Sequence, residues 1–352
     1  MIRKWIVKIV MALVPSRRWR QYLAANFEFF DVDIQQVQTK IYGKIWTPIY
    51  NRYSKIDGNE PQIYNADGTP LRTFFLRDKH FVFANMQVSK YFMFERYNFE
   101  LPVHFYTHGA MRQTMGTPDK RYGLLLESKE ITPQDYRIFE RNPNLAKEFD
   151  AVFTFDEKLL EKLPNAKEFC QCAQVNFFGE DANSVNCEQK IKNISICSSK
   201  KCYCDLHRLR YEWALKFKNN PTLGVDTFGS FAGGGFCSVF DYLRDYRYSI
   251  VVENAVLPYW FTEKILNCFA TRTVPIYVGH KKILERFNAD GIILIEPKNY
   301  ANIEKIIKQC SAADYANRLP AIEDNLRRVQ TYMNSFDRLY EQYLQEDLEK
   351  RL

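Results

Sequence analysis

With 352 residues, 46% of them hydrophobic and 26% charged, the chain can hold two ordinary domains with sizeable cores, and this balance excludes a disordered or collagen-like polymer. The formal net charge of +7 is concentrated at the start, where residues 1–20 hold Arg3, Lys4, Lys8, Arg17, Arg18 and Arg20 and no acid. No nucleic-acid partner is expected.

The first predicted element is a basic helix within residues 1–30. Trp5, Ile6, Ile9, Val10, Leu13 and Trp19 are interleaved with the basic residues, at helix-like steps up to Pro15. The apolar run is too short, and too interrupted by Lys8, to span a bilayer. It also lacks the uncharged core and small-residue cleavage site of a secretory signal. An amphipathic helix lying on an anionic membrane surface fits the pattern; packing of the same helix against its own domain is the other reading.

Residues 31–185 are expected to form a first α/β domain. Short apolar runs at Thr73–Leu76, Phe81–Ala84, Val103–Tyr106, Gly123–Leu126 and Ala151–Phe155 alternate with polar segments. A long polar helical pattern runs from Thr132 to Glu148, and Asp156–Leu163 predicts a further helix stopped by Pro164. A second series, expected over 186–312, has strands at Ile194–Cys197, Leu223–Thr227, Ser249–Val252, Val274–Val278 and Ile292–Ile295. Its helices are predicted at Leu206–Lys218, after Thr262 and from about Tyr300 to Gln309. Residues 313–352 read as helical, with Ile322, Leu326, Val329, Met333, Phe336, Tyr340, Tyr343 and Leu348 as a stripe packing back onto the body.

Nine cysteines include the pairs Cys170-x-Cys172 and Cys202-x-Cys204, whose single intervening residue is unlike zinc-ligand spacing. Several others lie in apolar runs, where cysteine behaves as a small hydrophobe. A reducing compartment and no structural metal are expected. Asp31-x-Asp33 is the arrangement a Mg²⁺-dependent sugar transferase would use to bridge phosphates, but it stands outside any predicted strand end. No GxSxG, HExxH or P-loop pattern is present.

The most informative stretch is Tyr246–Gly279. An apolar strand leads into Glu253-Asn254, and a short loop brings in Trp260 and Thr262-Glu263-Lys264 at the start of a helix. In open α/β sheets ligands bind beyond the carboxyl ends of the strands, where apolar packing has no use for acids. Glu253, Asn254, Glu263 and Lys264 are therefore read as ligand contacts. A lysine, an arginine such as Arg208 and a helix N-terminus together suit a diphosphate, and a carboxylate matches the paired hydroxyls of a ribose. A surface pair between Lys264 and Glu263, and a solvated Arg208, are the bland alternatives. Glu127 ends the run Gly123–Leu126 and so stands at a strand's carboxyl end, as a general base or as a helix-entry acid.

These residues resemble the signature of the α1,3/4-fucosyltransferases, the group that includes the bacterial Lewis-antigen enzymes. The likeness rests on Glu253-Asn254, Thr262-Glu263-Lys264, Val274-Pro275-Ile276 and Gly279. It extends over about residues 194–297, including Arg208-Leu209-Arg210-Tyr211 and Val225–Gly229. In the first domain it rests on Glu127-Ser128 followed by Pro133. The resemblance implies a GT-B architecture, with two Rossmann-like domains facing a cleft, the acceptor in the first and the nucleotide sugar in the second. It implies inverting transfer of L-fucose from GDP-fucose to a glycan hydroxyl, α1,3-linked to a GlcNAc-containing surface glycan, with no essential metal or other cofactor. Carried over by position, Arg208 and Lys264 hold the diphosphate and Glu263 the ribose. Glu253, Asn254, Trp260 and Thr262 shape the donor site, and Glu127 is the catalytic base.

The chain departs from the pattern in four places. Trp260 stands where bacterial relatives often have tyrosine, and the glycine loop after Gly229 carries no arginine. The stretch from Glu127 to Phe155 is longer, and the basic amphipathic segment is at the amino end rather than the carboxyl end. A transferase using another nucleotide sugar, or a non-catalytic membrane-associated glycan-binding protein, are the alternative functions. The expected partners are a GDP-sugar donor, an oligosaccharide or lipid-linked glycan acceptor and an anionic membrane surface. The expected location is cytoplasmic, peripheral on the inner face of the membrane.

Overall fold

The computed structural model describes residues 72–77, 89–95, 99–112, 114–170, 184–233 and 237–349. The basic helix expected over 1–30, Asp31-x-Asp33, the run Phe81–Ala84, Cys172, Gly234 and Gly235 lie outside these residues.

The described strands form two parallel sheets. The first contains β1 (Arg72–Arg77), β2 (Phe92–Glu95), β3 (Val103–Thr107), β4 (Lys120–Leu124), β5 (Ala151–Thr154) and β6 (Ala166–Glu168), in the order β2-β1-β3-β4-β5-β6. The second contains β7 (Lys192–Cys197), β8 (Val225–Phe228), β9 (Tyr246–Val252), β10 (Val274–Val278) and β11 (Ile293–Leu294), in the order β11-β10-β9-β7-β8. Every described strand pair is parallel, and helices described between strands, such as the one between β9 and β10, carry the crossovers that parallel pairing needs. The central strands β3 and β10 are buried at every position and β9 at all but one, as in a sheet covered on both faces. The expected α/β architecture is the observed one.

Several boundaries differ from the sequence expectation for local reasons. The helix expected over 132–148 is split into α1 (Pro133–Arg141) and a 3-10 segment, Pro143–Glu148. Pro143 supplies no N–H, and the residue before it is pushed off helical geometry: Asn142 has φ −140° and ψ 79°. α2 (Glu157–Lys162) begins at Asp156, whose carboxylate accepts from Leu159 N. β2 and β6 are short edge strands that their sequences do not announce. In the second sheet α3 (Asp205–Asn219), the five-residue α4 (Val239–Leu243) and α5 (Glu263–Ala270) cover the strands.

The carboxyl-terminal helical stretch is also segmented, into α6 (Leu319–Val329), α7 (Ser335–Leu339) and shorter turns up to Glu349. Asn334 caps α7 by accepting from Phe336 N and Asp337 N. This segment returns to the first sheet: Phe336 packs edge-on against Phe92 and Phe94, and Tyr340 stacks on Tyr91 at 4.5 Å. Asp337 accepts from Ser89 Oγ, and Asp347 from Lys120 Nζ and Tyr122 Oη. Between the sheets, one apolar cluster joins Phe155 and Leu159 to Trp260, Phe261 and Ile265, so the two halves share part of their core.

Candidate functional site

The order of the second sheet makes a topological switch point between β7 and β9. From β7 the chain crosses outward to β8, and from β9 it crosses the other way to β10 and β11, leaving a crevice at the carboxyl ends of the central pair. A cavity of about 320 Å³ lies there. Cys197, Ser198 and Ser199 from the end of β7, Gly229 and Ser230 after β8, Val251 and Val252 of β9, and Glu263 and Lys264 of α5 line it. Gly229 has φ +96°, and a Cβ there would run into the Ser198 carbonyl oxygen. Only glycine lets the loops after β7 and β8 close this side.

Lys264 enters the cavity from the first turn of α5, where the helix dipole favours an anion. Its Nζ lies 2.9 Å from Thr262 Oγ1, 3.2 Å from Glu263 Oε1 and 3.6 Å from Glu253 Oε2. Burial would lower its pKa, but Glu263 and Glu253 outweigh burial and hold it above the ordinary lysine range. Glu263 is exposed and lines the same cavity. Thr262 is the N-cap of α5.

Glu253 departs from the expectation of a ligand contact. It is fully buried, with Oε1 accepting from Thr262 N at 3.0 Å and Oε2 from Thr262 Oγ1 at 2.8 Å. Burial pushes its carboxyl pKa up, against the pull of Lys264. Its lone pairs serve the turn that carries Thr262-Glu263-Lys264, so it positions the site from beneath. Trp260 is likewise withdrawn: it is buried and packs on Phe155 of the first half at 4.3 Å, away from the cavity lining.

The two arginines of α3 have different surroundings. Arg208 is half exposed, pairs with Asp205 and donates to Cys202 O, and it does not line the cavity. Arg210 does: it is 9% exposed, donates from Nη1 to Val252 O at 3.2 Å and leaves its Nε without a partner among the described residues. Two positions along a helix differ by about 200° around its axis, so one side chain faces the sheet when the other faces solvent. Sequence reasoning missed Arg210, although a signal was present. It falls on the stripe His207, Arg210, Trp213, Ala214 and Phe217 that α3 buries.

Glu127 follows β4 in the first half and meets the second half directly. Its Oε1 accepts from Asn254 Nδ2 at 2.8 Å and from Ser128 N at 2.8 Å, while its carbonyl accepts from Tyr136 Oη at 2.6 Å. The fold thus joins two predicted site residues 127 positions apart. Asn254 also leaves Oδ1 buried and unpartnered among the described residues, as His207 does Nδ1. Burial, with Arg210, Lys264 and Lys201 nearby, lowers the His207 pKa to about 4. Unsatisfied buried polar atoms are costly in a closed fold and ordinary beside a ligand site. Among the described residues no group of three or more His, Cys, Asp or Glu side chains is arranged to hold a metal ion, and none of the cysteines forms a disulfide.

No family model matches the chain. A stretch of 102 residues is 29% identical to the alpha-(1,3)-fucosyltransferase FucT of Helicobacter pylori, covering 29% of this chain and 18% of that protein's length. Among solved structures, an α1,3-fucosyltransferase with GDP aligns over 82% of this chain and 95% of its own, at 15% identity and a TM-score of 0.49. An α1,3-fucosyltransferase with GDP-fucose aligns over the same shares at 14% identity and a TM-score of 0.46. TarM aligns over 68% of this chain and 53% of its own, at 13% identity and a TM-score of 0.42.

Proposed function

We propose that the chain is an inverting glycosyltransferase that moves L-fucose from GDP-fucose to a hydroxyl of a glycan, forming an α1,3 bond to a GlcNAc-containing acceptor. The observation that carries the reading is the pair of cations at the switch-point cavity. Lys264 at a helix N-terminus and the buried Arg210 line one space of a size suited to a nucleotide's diphosphate and sugar. The sequence likeness to the Helicobacter pylori fucosyltransferase over 102 residues supports a fucosyl donor.

In this reading Glu127 removes the proton from the acceptor hydroxyl as that oxygen attacks the anomeric carbon, and the carbon–oxygen bond to GDP breaks. Charge accumulates on the leaving diphosphate, where Lys264, Arg210 and the α5 helix dipole are already oriented to meet it. Glu263 takes the ribose hydroxyls. Asn254 Nδ2 holds the Glu127 carboxylate in place. The basic segment of residues 1–20 would lay the enzyme on the inner face of a membrane, where a lipid-linked acceptor is presented; among the described residues no helix is long and apolar enough to cross one.

A transferase of another nucleotide sugar is the second reading. The withdrawal of Trp260 from the cavity favours it, because a side chain expected to shape the donor site does not line it. Titration calorimetry with GDP, UDP, CMP and ADP, followed by sugar release from GDP-fucose, tests both. Tightest binding of GDP with slow release of fucose is expected. Preference for another nucleotide overturns the donor assignment, and binding of GDP without release points to a protein that binds glycans without catalysis.

A further inference from the structure

Behind Glu127 lies a buried polar pair that no step of the reaction requires. His108 follows β3 at the carboxyl end of the first sheet and is fully buried, as is Asp135 at 1% exposure on α1. Imidazole Nδ1 lies 3.3 Å from Asp135 Oδ2, a close contact that falls short of hydrogen-bond geometry. On the other side Nε2 is 3.2 Å from Leu126 N and accepts its hydrogen. A ring nitrogen that accepts carries no proton, so the proton of the neutral ring is on Nδ1, facing the carboxylate. The carboxylate therefore fixes the tautomer, and the tautomer fixes the bond to the residue immediately before Glu127.

The same helix grips the far side of Glu127. Tyr136, next to Asp135 on α1, donates to the Glu127 carbonyl at 2.6 Å. Ser128 O receives Ile131 N and Thr132 N at the entry to α1. The backbone around Glu127 is thus tied on both sides to α1, and His108 is the arm that reaches Leu126. His108 also has φ +49°, a left-handed conformation uncommon among non-glycine residues, although histidine is one of those that adopt it most readily. Strain at an interior residue persists where surrounding bonds enforce it, and such residues cluster at functional sites.

We propose that His108 and Asp135 are positioning residues that hold the Glu127 carboxylate in line with the acceptor hydroxyl, through the Leu126 N–H. The proposal rests on the reading of Glu127 as the general base. A displacement of about 1 Å at a reacting group can cost on the order of 100-fold in rate, so a loss of that size is expected in kcat.

The experiment measures fucose release from GDP-fucose and GDP affinity for the full chain and four variants, each first checked for cooperative thermal unfolding. Glu127→Gln sets the floor. His108→Ala removes the bond from Leu126 N and the contact with Asp135, and should lower kcat by about 10–100-fold with the GDP dissociation constant unchanged. His108→Gln can still accept from Leu126 N and should recover part of that loss. Asp135→Asn can donate to Nδ1, which would move the ring proton to Nε2 against the Leu126 N–H, so its kcat should fall as far as that of His108→Ala. A folded His108→Ala with wild-type kcat overturns the inference while leaving the function intact. Equal losses in His108→Ala and His108→Gln also overturn it, since the accepting nitrogen is then irrelevant. If Glu127→Gln releases fucose as fast as the parent, the base reading fails and the inference falls with it.

Discussion

Lys264 carries its charge between two carboxylates of different freedom, and that difference decides how it meets an incoming diphosphate. Glu253 is buried and committed to Thr262, whereas Glu263 is exposed. When an anion arrives, Glu263 can turn towards a ribose while Glu253 continues to hold the lysine and its turn. Removing the cation should therefore weaken binding, and it also leaves the buried Glu253 without its counter-charge. Lys264→Ala is expected to raise the GDP dissociation constant by about 10–100-fold, the range of a charged hydrogen bond. Arg210→Met should do the same. Arg208→Ala should change it by less than about 3-fold, since exposed pairs contribute little. Titration calorimetry on the three variants checks the order, and a larger loss at Arg208 than at Arg210 would restore the assignment made by resemblance.

At the scale of elements, the turn from β9 into α5 depends on one buried acid. Glu253→Ala leaves Thr262 N and Oγ1 without their acceptor and Lys264 with one carboxylate fewer. A loss of about 3 kcal/mol is expected in denaturant unfolding, the lower end of the range for breaking a buried charged pair. Thr262→Val loses mainly a cap and should cost about 1 kcal/mol. Equal losses would mean that Glu253 acts only through the threonine hydroxyl. This turn was legible in sequence because its chemistry is local: Glu253, Thr262 and Lys264 sit within one strand-to-helix connection, and the apolar runs on either side fix which end of the sheet they occupy. What was not legible depended on orientation or on distant contacts. The facing of α3 decides between Arg208 and Arg210. The packing of Trp260 on Phe155 is set by the other half of the molecule, and His108 meets Asp135 only once α1 lies over the loop after β4. The break at Asn142-Pro143 follows a rule readable from sequence, that proline ends the helix before it, but the polar periodicity running through it masked the signal.

For the whole molecule, the shared apolar cluster and the bond from Asn254 to Glu127 tie the halves together, and the segment after α6 returns across the first sheet. Unfolding should then be a single cooperative transition, and titrating groups in either half should act on it. His104 in the first half is buried, and burial with Arg121 nearby lowers its pKa to about 4; His207 in the second half is lowered to about 4 by burial, Arg210, Lys264 and Lys201. Both fall below the unfolded value of about 6.5, so between about pH 6.5 and 4 the unfolded chain binds more protons. Stability from these groups is complete above pH 6.5 and is lost as the pH falls towards 4. Lys190 acts in a second window. Its ammonium is buried, donating to Leu243 O at 2.7 Å and Thr273 Oγ1 at 2.8 Å, and burial lowers its pKa to about 7. The unfolded chain keeps that proton up to about pH 10.4. The burial penalty is therefore full at and below pH 7 and is relieved as the pH rises above it, by about 1.4 kcal/mol for each unit by which the pKa is depressed. Calorimetric melting from pH 4 to about 8.5, below the range in which thiols of the unfolded chain are largely ionised, should give one transition whose midpoint climbs on both flanks. Lys190→Met should flatten the alkaline flank alone, and His104→Gln should reduce the acid one. Two resolved transitions, with His104→Gln moving only the first and Lys190→Met only the second, would mean that the halves unfold independently despite the core they share.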